Sequence, residues 1–340
     1  MPSALRSHLK RTVAMLAASA CLGLLVASAD ASATDRNTDR GTGTTVAKAS
    51  GYTSHTNVAY ASGGSQVLDL YLPDDGRRSR PLVVYVHGGG WGGGDKTELQ
   101  GIPEWDSLLS QGFAVASVNY TLSPTAVFPQ QIHEVKSAIR YLRANGSRYG
   151  LSGRVGVWGG SAGAQIASLV GTSCGVRSLE GTIGTTGPSS CVDAVVDLSG
   201  PNDFTDLADN PMLAGAVASY LGCPSGIESC SDAVLRQASP LTHLSSGRRP
   251  PAFLIGHGDA DTLISIEQSQ VLYSALKRVC GNVSFFTLHG QDHFFPFSGA
   301  LSEPYPARTV QTSKYCSPTR TSTEPPLGLT TLGSFFRAHL

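Results

Sequence analysis

Three residues of this chain stand where an acyl group could be transferred through a covalent intermediate: Ser161, Asp261 and His293. Ser161 is centred in Gly159-Gly160-Ser161-Ala162-Gly163, a Gly-x-Ser-x-Gly pattern. A hydroxyl is a poor nucleophile until a base takes its proton, and the imidazole that does so needs a carboxylate to fix its tautomer. An acid and then a histidine should therefore follow, each at the end of a later strand. The chain supplies His257-Gly258-Asp259-Ala260-Asp261-Thr262 and then His289-Gly290-Gln291-Asp292-His293. Asp259 competes with Asp261 for the acid, and His289 competes with His293 for the base, although His289 sits where a strand should still be running. The oxyanion formed by such an attack needs donors, and His87-Gly88-Gly89-Gly90-Trp91 is a glycine run able to turn backbone N–H groups towards it.

The surrounding elements decide which matches carry weight. With 39 glycines, chance alone produces a second pattern, Gly171-Thr172-Ser173-Cys174-Gly175. That one follows a helical stretch and has no strand before it. Ser161 instead follows the β-rich Arg154-Val155-Gly156-Val157-Trp158 and precedes a segment in which Ile166, Leu169 and Val170 recur at helical spacing. Strand, tight turn and helix are what a strained nucleophile turn requires, with small residues where strand and helix crowd. The apolar run 82–86 ends at His87, and residues 251–256 and 283–288 read as strands ending at the acid and base turns. A phosphate-cradling reading of 90–97 fails, because Asp95 places a negative charge where a phosphate loop wants none. His87 is read as a hydrogen-bonding partner that orders the loop. Trp91 either packs beneath that loop or walls a substrate pocket, and stands as a substrate-binding candidate.

Taken together these motifs resemble the α/β-hydrolase esterases of the hormone-sensitive-lipase and bacterial acetyl or feruloyl esterase (BD-FAE-like) type. Their marks are a His-Gly-Gly-Gly-Trp-like loop, a Gly-x-Ser-Ala-Gly turn and a His-Gly-x-x-Asp acid turn, and the likeness runs over about residues 67–293. The order Ser, Asp, His is the one that fold uses. The resemblance implies that Ser161 is the nucleophile, Asp261 the acid four residues after His257, and His293 the base. It also implies an oxyanion hole from the amides of Ala162, Gly89 and Gly90, with the register inside the glycine run open by one residue. The implied reaction is hydrolysis of short-chain acyl or feruloyl-type carboxylic esters through an acyl-enzyme, without cofactor or catalytic metal. An amide-cleaving relative, peptidase or arylformamidase, would use the same machinery. A non-catalytic binder on this scaffold would have no need of a complete triad.

Composition bounds the rest. Lys plus Arg and Asp plus Glu both number 25, with no basic run after the N-terminal segment, so nothing favours nucleic acid or an anionic membrane as partner. A small-molecule or carbohydrate-linked ester is the expected partner; oligomeric state is left open. Residues 1–29 read as a signal peptide: Arg6, Lys10 and Arg11 precede an apolar stretch that ends in Ala27-Ser28-Ala29, and Ala31-Ser32-Ala33 offers a second cleavage site. Lipidation at Cys21 is disfavoured, since Ala18 stands where leucine is usual. Secretion and the six cysteines beyond the leader point to disulfides, and proximity favours Cys174–Cys191, Cys223–Cys230 and Cys280–Cys316. After a flexible polar segment at 30–51, residues 52–340 read as one α/β domain. Strands are expected at 58–61, 66–72, 113–119 and 194–198, and helices at 130–145, 266–280 and 332–340. The expected fold is a mostly parallel central sheet flanked by helices. Residues 201–247 read as a small, polar, proline-punctuated cap, and 296–326 as a surface-draped loop.

Overall fold

A run such as Leu82-Val83-Val84-Tyr85-Val86 has no polar alternation and must be covered on both faces. The computed structural model, which describes residues 37–38, 44–49, 51–207, 210–245, 247–297, 301 and 308–340, meets that demand. Leu82, Val84 and Val86 pack into one core with Ile139, Ile166 and Leu272, while Val83 and Tyr85 pack into a second with Trp158, Leu332 and Phe336. The expected signal peptide and much of the polar segment 30–51 lie outside the described residues; everything described belongs to the unit Asp35–Leu340.

The described residues form twelve strands of one sheet: β1 (Asn37–Thr38), β2 (Thr45–Ala49), β3 (Tyr52–Ala59), β4 (Val67–Pro73), β5 (Arg80–Val86), β6 (Ala114–Val118), β7 (Leu151–Gly160), β8 (Ala194–Leu198), β9 (Ala252–Gly258), β10 (Asn282–Leu288), β11 (Arg308–Lys314) and β12 (Arg320–Ser322). Their order is β1-β2-β3-β4-β6-β5-β7-β8-β9-β10-β11-β12. The stretch β6-β5-β7-β8-β9-β10 is parallel throughout. Every pairing outside it is antiparallel. The expected mostly parallel sheet is thus corrected to a mixed one, a parallel centre extended on both sides. Antiparallel neighbours such as β2 and β3 can be joined by a short turn, whereas the parallel block needs helical crossovers. Gln130–Ala144, Ala162–Thr172 and Glu267–Arg278 serve as such helices, and Leu329–His339 closes the chain.

Two segments differ from their sequence reading. Residues 296–326 include β11 and β12, and β11 pairs with β10 from Asn282↔Lys314 to Leu288↔Arg308. Thr309, Val310 and Thr312 are β-branched and suit a strand, but without an apolar run they look like loop. Residues 201–247 carry an apolar helix, Pro211–Leu221. The Asn210 side chain accepts from the amides of Met212 and Leu213, Pro211 opens the helix, and Gly222 closes it at φ 72°. Leu213, Val217, Tyr220 and Leu221 are buried on it, while Met212 is 73% exposed.

The six cysteines form the three pairs that proximity favours, with Cα–Cα distances of 4.9 Å (Cys174–Cys191), 5.3 Å (Cys223–Cys230) and 4.4 Å (Cys280–Cys316). Their sequence separations are 17, 7 and 36. If crosslinks act by restricting the unfolded chain, replacing Cys280 and Cys316 by serine is expected to remove about 4 kcal/mol and replacing Cys223 and Cys230 about 2 kcal/mol. Urea unfolding of the two double variants checks that ranking.

Candidate active site

The turn after β7 holds Ser161 at φ 55° and ψ −124°, a strained conformation that lifts its hydroxyl clear of strand and helix. The flanking glycines have a measurable reason. A Cβ on Gly159 would stand 2.3 Å from the Gly163 carbonyl group, and one on Gly163 would stand 2.1 Å from the Val86 oxygen. The Ser161 amide donates to Leu198 O at 2.9 Å and ties the turn to β8.

β9 runs two residues beyond its expected end, so His257 and Gly258 lie within the strand and Asp261 in the turn that follows. Gly258 has no room for a side chain: a Cβ there would meet Gln291 O at 2.1 Å. This approach, with the Ala260 amide donating to Gln291 O at 3.1 Å, brings the turn after β10 against the turn after β9. The result places His293 Nε2 2.9 Å from Ser161 Oγ and His293 Nδ1 2.8 Å from Asp261 Oδ2. Asp261 Oδ1 accepts the amides of Leu263 and Ile264 at 2.9 and 2.8 Å. Burial pushes the Asp261 carboxyl up, but donors from His257, His293 and Ile264 outweigh it and hold the group well below the usual carboxylate range. An ionised carboxylate only accepts, so Nδ1 of His293 carries the proton and Nε2 is left to receive one from Ser161.

The competing residues are brought together elsewhere. Asp259 accepts from the His289 ring and from the Gly290 amide, on a turn exposed to solvent. Ser173 is buried and donates to Leu169 O at 2.5 Å.

The glycine loop faces Ser161 from the end of β5. Gly89 and Gly90 have φ of 93° and 59°, and a Cβ on Gly89 would stand 2.5 Å from Gly93 O, so this tight turn admits only glycine there. The amides of Gly92 and Gly93 fold back onto Gly89 O, whereas those of Gly89 and Gly90 donate to no acceptor among the described residues. His87 is buried, stacks on Tyr120 at 4.3 Å and bonds Gly88 O at 2.9 Å through Nδ1. Trp91 is 1% exposed, stacked on Tyr220 at 4.6 Å and bonded to Gln165 Oε1 at 3.0 Å. Of its two readings, packing beneath the loop is the one its surroundings match. Sequence reasoning passed over Glu98, whose Oε1 accepts from the Gly88 amide at 3.0 Å and the Tyr85 hydroxyl at 2.5 Å, and no motif signals it. It also passed over Phe297, whose ring lies beside Gly88 and Gly160, and Phe294, 61% exposed beside His293.

The family model described as BD-FAE matches residues 68–276, more than half of the chain. Esterase LipC of Mycobacterium tuberculosis is 29% identical over 259 residues, which are 74% of this chain and 63% of that protein. Isoprenylcysteine alpha-carbonyl methylesterase ICME of Arabidopsis thaliana is 28% identical, over 70% of this chain and 56% of that protein. The chain thus spans about 60% of the length of the curated relatives it matches. Among solved structures, a truncated carbohydrate esterase from gut microbiota superposes with a TM-score of 0.62 at 29% identity, covering 71% of this chain and 88% of that one. Esterase 2 of Thermogutta terrifontis, with propionate bound, shares the fold at TM-score 0.57 and 22% identity, over 70% of this chain and 84% of that one.

Below the glycine loop, Asp95 accepts from Asn119 and Thr97, and Lys96 Nζ meets Asp69 Oδ2 at 3.0 Å, with both of those side chains buried. Asp69→Ala strands the Lys96 ammonium without its partner and is expected to lower stability by about 3 to 5 kcal/mol. Asp74→Ala, which breaks the exposed Lys48–Asp74 pair, is expected to cost at most about 1 kcal/mol. Comparing the urea midpoints of the two variants checks the difference.

Proposed function

This chain belongs to the BD-FAE family, and on that footing we propose that it is a secreted serine carboxylic-ester hydrolase acting on short-chain acyl or feruloyl-type esters, including esters carried on carbohydrate. The observation that carries the reading is the hydrogen-bond chain from Ser161 Oγ through His293 to Asp261, at 2.9 and 2.8 Å. His293 Nε2 takes the hydroxyl proton as Ser161 Oγ attacks the ester carbonyl carbon, and the carbonyl electron pair moves onto oxygen. That oxyanion is received by the amides of Ala162, Gly89 and Gly90; Ala162 opens a helix, whose positive end adds to the stabilisation. As the tetrahedral species collapses, His293 hands its proton to the departing alcohol oxygen and the acyl group stays on Ser161. Water then attacks the acyl-enzyme, its proton passing to His293 and from there to Ser161 Oγ as the acid leaves. Asp261 remains ionised and stabilises the imidazolium formed in each half. These steps use only protein groups and water.

Support for the finer parts of the reading comes from three places. Three cysteine pairs at bonding distance fit an oxidising destination beyond a cleaved leader. Residues 201–247 are read as a cap, because a Cβ on Gly90 would meet Ala216 Cβ at 3.8 Å and the Asn210 side chain donates to Leu263 O at 2.9 Å, so the segment touches both site loops. Phe294, exposed and edge-on to His293, offers an apolar surface for a small acyl or aromatic group. The carbohydrate esterase among the structural neighbours suggests a sugar on the alcohol side.

Ser161→Ala is expected to reduce p-nitrophenyl acetate turnover by about 10^4-fold or more, with Ser173→Ala near wild type. Asp261→Asn should lower kcat by about 10^4-fold, and Asp259→Asn by less than about tenfold. The opposite ranking in measured kcat would reassign the acid. Across p-nitrophenyl esters, kcat/KM is expected to be highest from acetyl to butyryl and to fall by octanoyl, with aminoacyl p-nitroanilides untouched. A maximum at long chains with activation at an oil–water interface would instead make the apolar helix Pro211–Leu221 a lipase-like lid.

A further inference from the structure

Two imidazoles, not one, meet the carboxylate of Asp261. His257, 0% exposed within β9, has Nε2 2.9 Å from Ile264 O and 3.2 Å from Asp261 Oδ2. Both of those oxygens only accept, so Nε2 carries the ring proton. Nδ1 is then an acceptor, and it lies 2.7 Å from the hydroxyl of Ser269, a buried residue on the helix Glu267–Arg278. Asp261 thus receives two amides on Oδ1 and two imidazole N–H groups on Oδ2.

We propose that His257, fixed in its tautomer by Ile264 O and the Asp261 carboxylate and braced at Nδ1 by Ser269, is a positioning residue that sets the basicity of Asp261 and, through it, the proton affinity of His293. The inference rests on the reading of Ser161, His293 and Asp261 as a triad and deepens it. A donor on the carboxylate draws off negative charge. The imidazolium of His293 is then less stabilised, and the ring stays neutral, and competent as a base, to lower pH. Removing the donor makes Asp261 a stronger base and raises the proton affinity of His293. The acidic limb of kcat/KM, which reports the free enzyme's base, then moves to higher pH. The ionisable groups facing this pair are few. Asp197, at the end of β8, interacts with His257 and is itself held by Ser168, Gly200 and Asn202. Asp259 and His289 pair on the outer turn, and Glu267 is exposed. None of them replaces the bond from His257.

The test is the pH profile of kcat/KM on p-nitrophenyl acetate for the full protein, with thermal melts, in wild type, Ser269→Ala, His257→Leu and His257→Gln. His257→Leu is expected to raise the acidic limb by about 0.5 to 1 unit and to slow kcat, whereas Ser269→Ala, which keeps the Nε2–H on Asp261, is expected to leave the limb near wild type. His257→Gln should bring the limb back towards wild type, because its amide can donate to Asp261 while its oxygen accepts from Ser269. If His257→Leu fails to fold, His257→Met, which fills similar space without a donor, carries the test. A limb that stays in place in folded His257→Leu or His257→Met, with stability alone reduced, would overturn the proposal and leave His257 a packing residue. Turnover surviving in Ser161→Ala is a different failure, since it removes the triad on which the inference stands.

Discussion

The site depends on a close approach that no side chain could survive. Gly163, in the first turn of its helix, lies so near the end of β5 that a Cβ would stand 2.1 Å from the Val86 oxygen and 2.5 Å from that of His87. That separation sets the helix opened by Ala162 directly against the end of β5, from which the glycine loop of the proposed oxyanion hole departs. Ser161, immediately before that helix, takes up the strain in its own φ of 55°. The parallel centre of the sheet supplies the geometry: β5, β7, β9 and β10 all deliver their C-terminal ends to the same side, so loops far apart in sequence converge.

What could be read from the residues follows how local each determinant is. The turn at Ser161 declares itself through strand before, helix after and glycines between, all within about a dozen positions, and the same logic sets Ser173 aside. Asp261 against Asp259 is another matter, because two carboxylates two residues apart differ only in which way the turn points them. That is fixed by the amides of Leu263 and Ile264 and by Gly258 admitting the Gln291 backbone. The outlying strands β11 and β12 were hidden by their Thr- and Ser-rich composition, since strands without a fully apolar run do not announce themselves as sheet. Polarity averaged over residues 201–247 likewise concealed the helix Pro211–Leu221, whose apolar face is short but continuous. Glu98 leaves no trace in sequence because its partners are a backbone amide and a tyrosine hydroxyl, groups that any chain offers.

Behind the reacting atoms a set of buried or half-buried polar groups is tied together by hydrogen bonds. Glu98 holds Gly88 and Tyr85, and Lys96 and Asp69 anchor the loop's far end. Gln165, on the helix after Ser161, accepts from the Trp91 indole and donates to Ala238 O at 2.8 Å. One buried amide therefore joins the glycine loop, the helix after Ser161 and the segment 201–247.

The antiparallel strands beyond β10 have a bearing on how the molecule behaves in company. Had the sheet stopped at β10, the strand leading to the base turn would present a row of unpaired backbone groups to solvent, a template for strand addition by another chain. With β11 and β12 added, that boundary passes to a strand of three residues, fully exposed and begun by Arg320. An edge so short and polar offers little for a neighbour to zip onto, and colloidal solubility on this side is separated from the strand that chemistry needs.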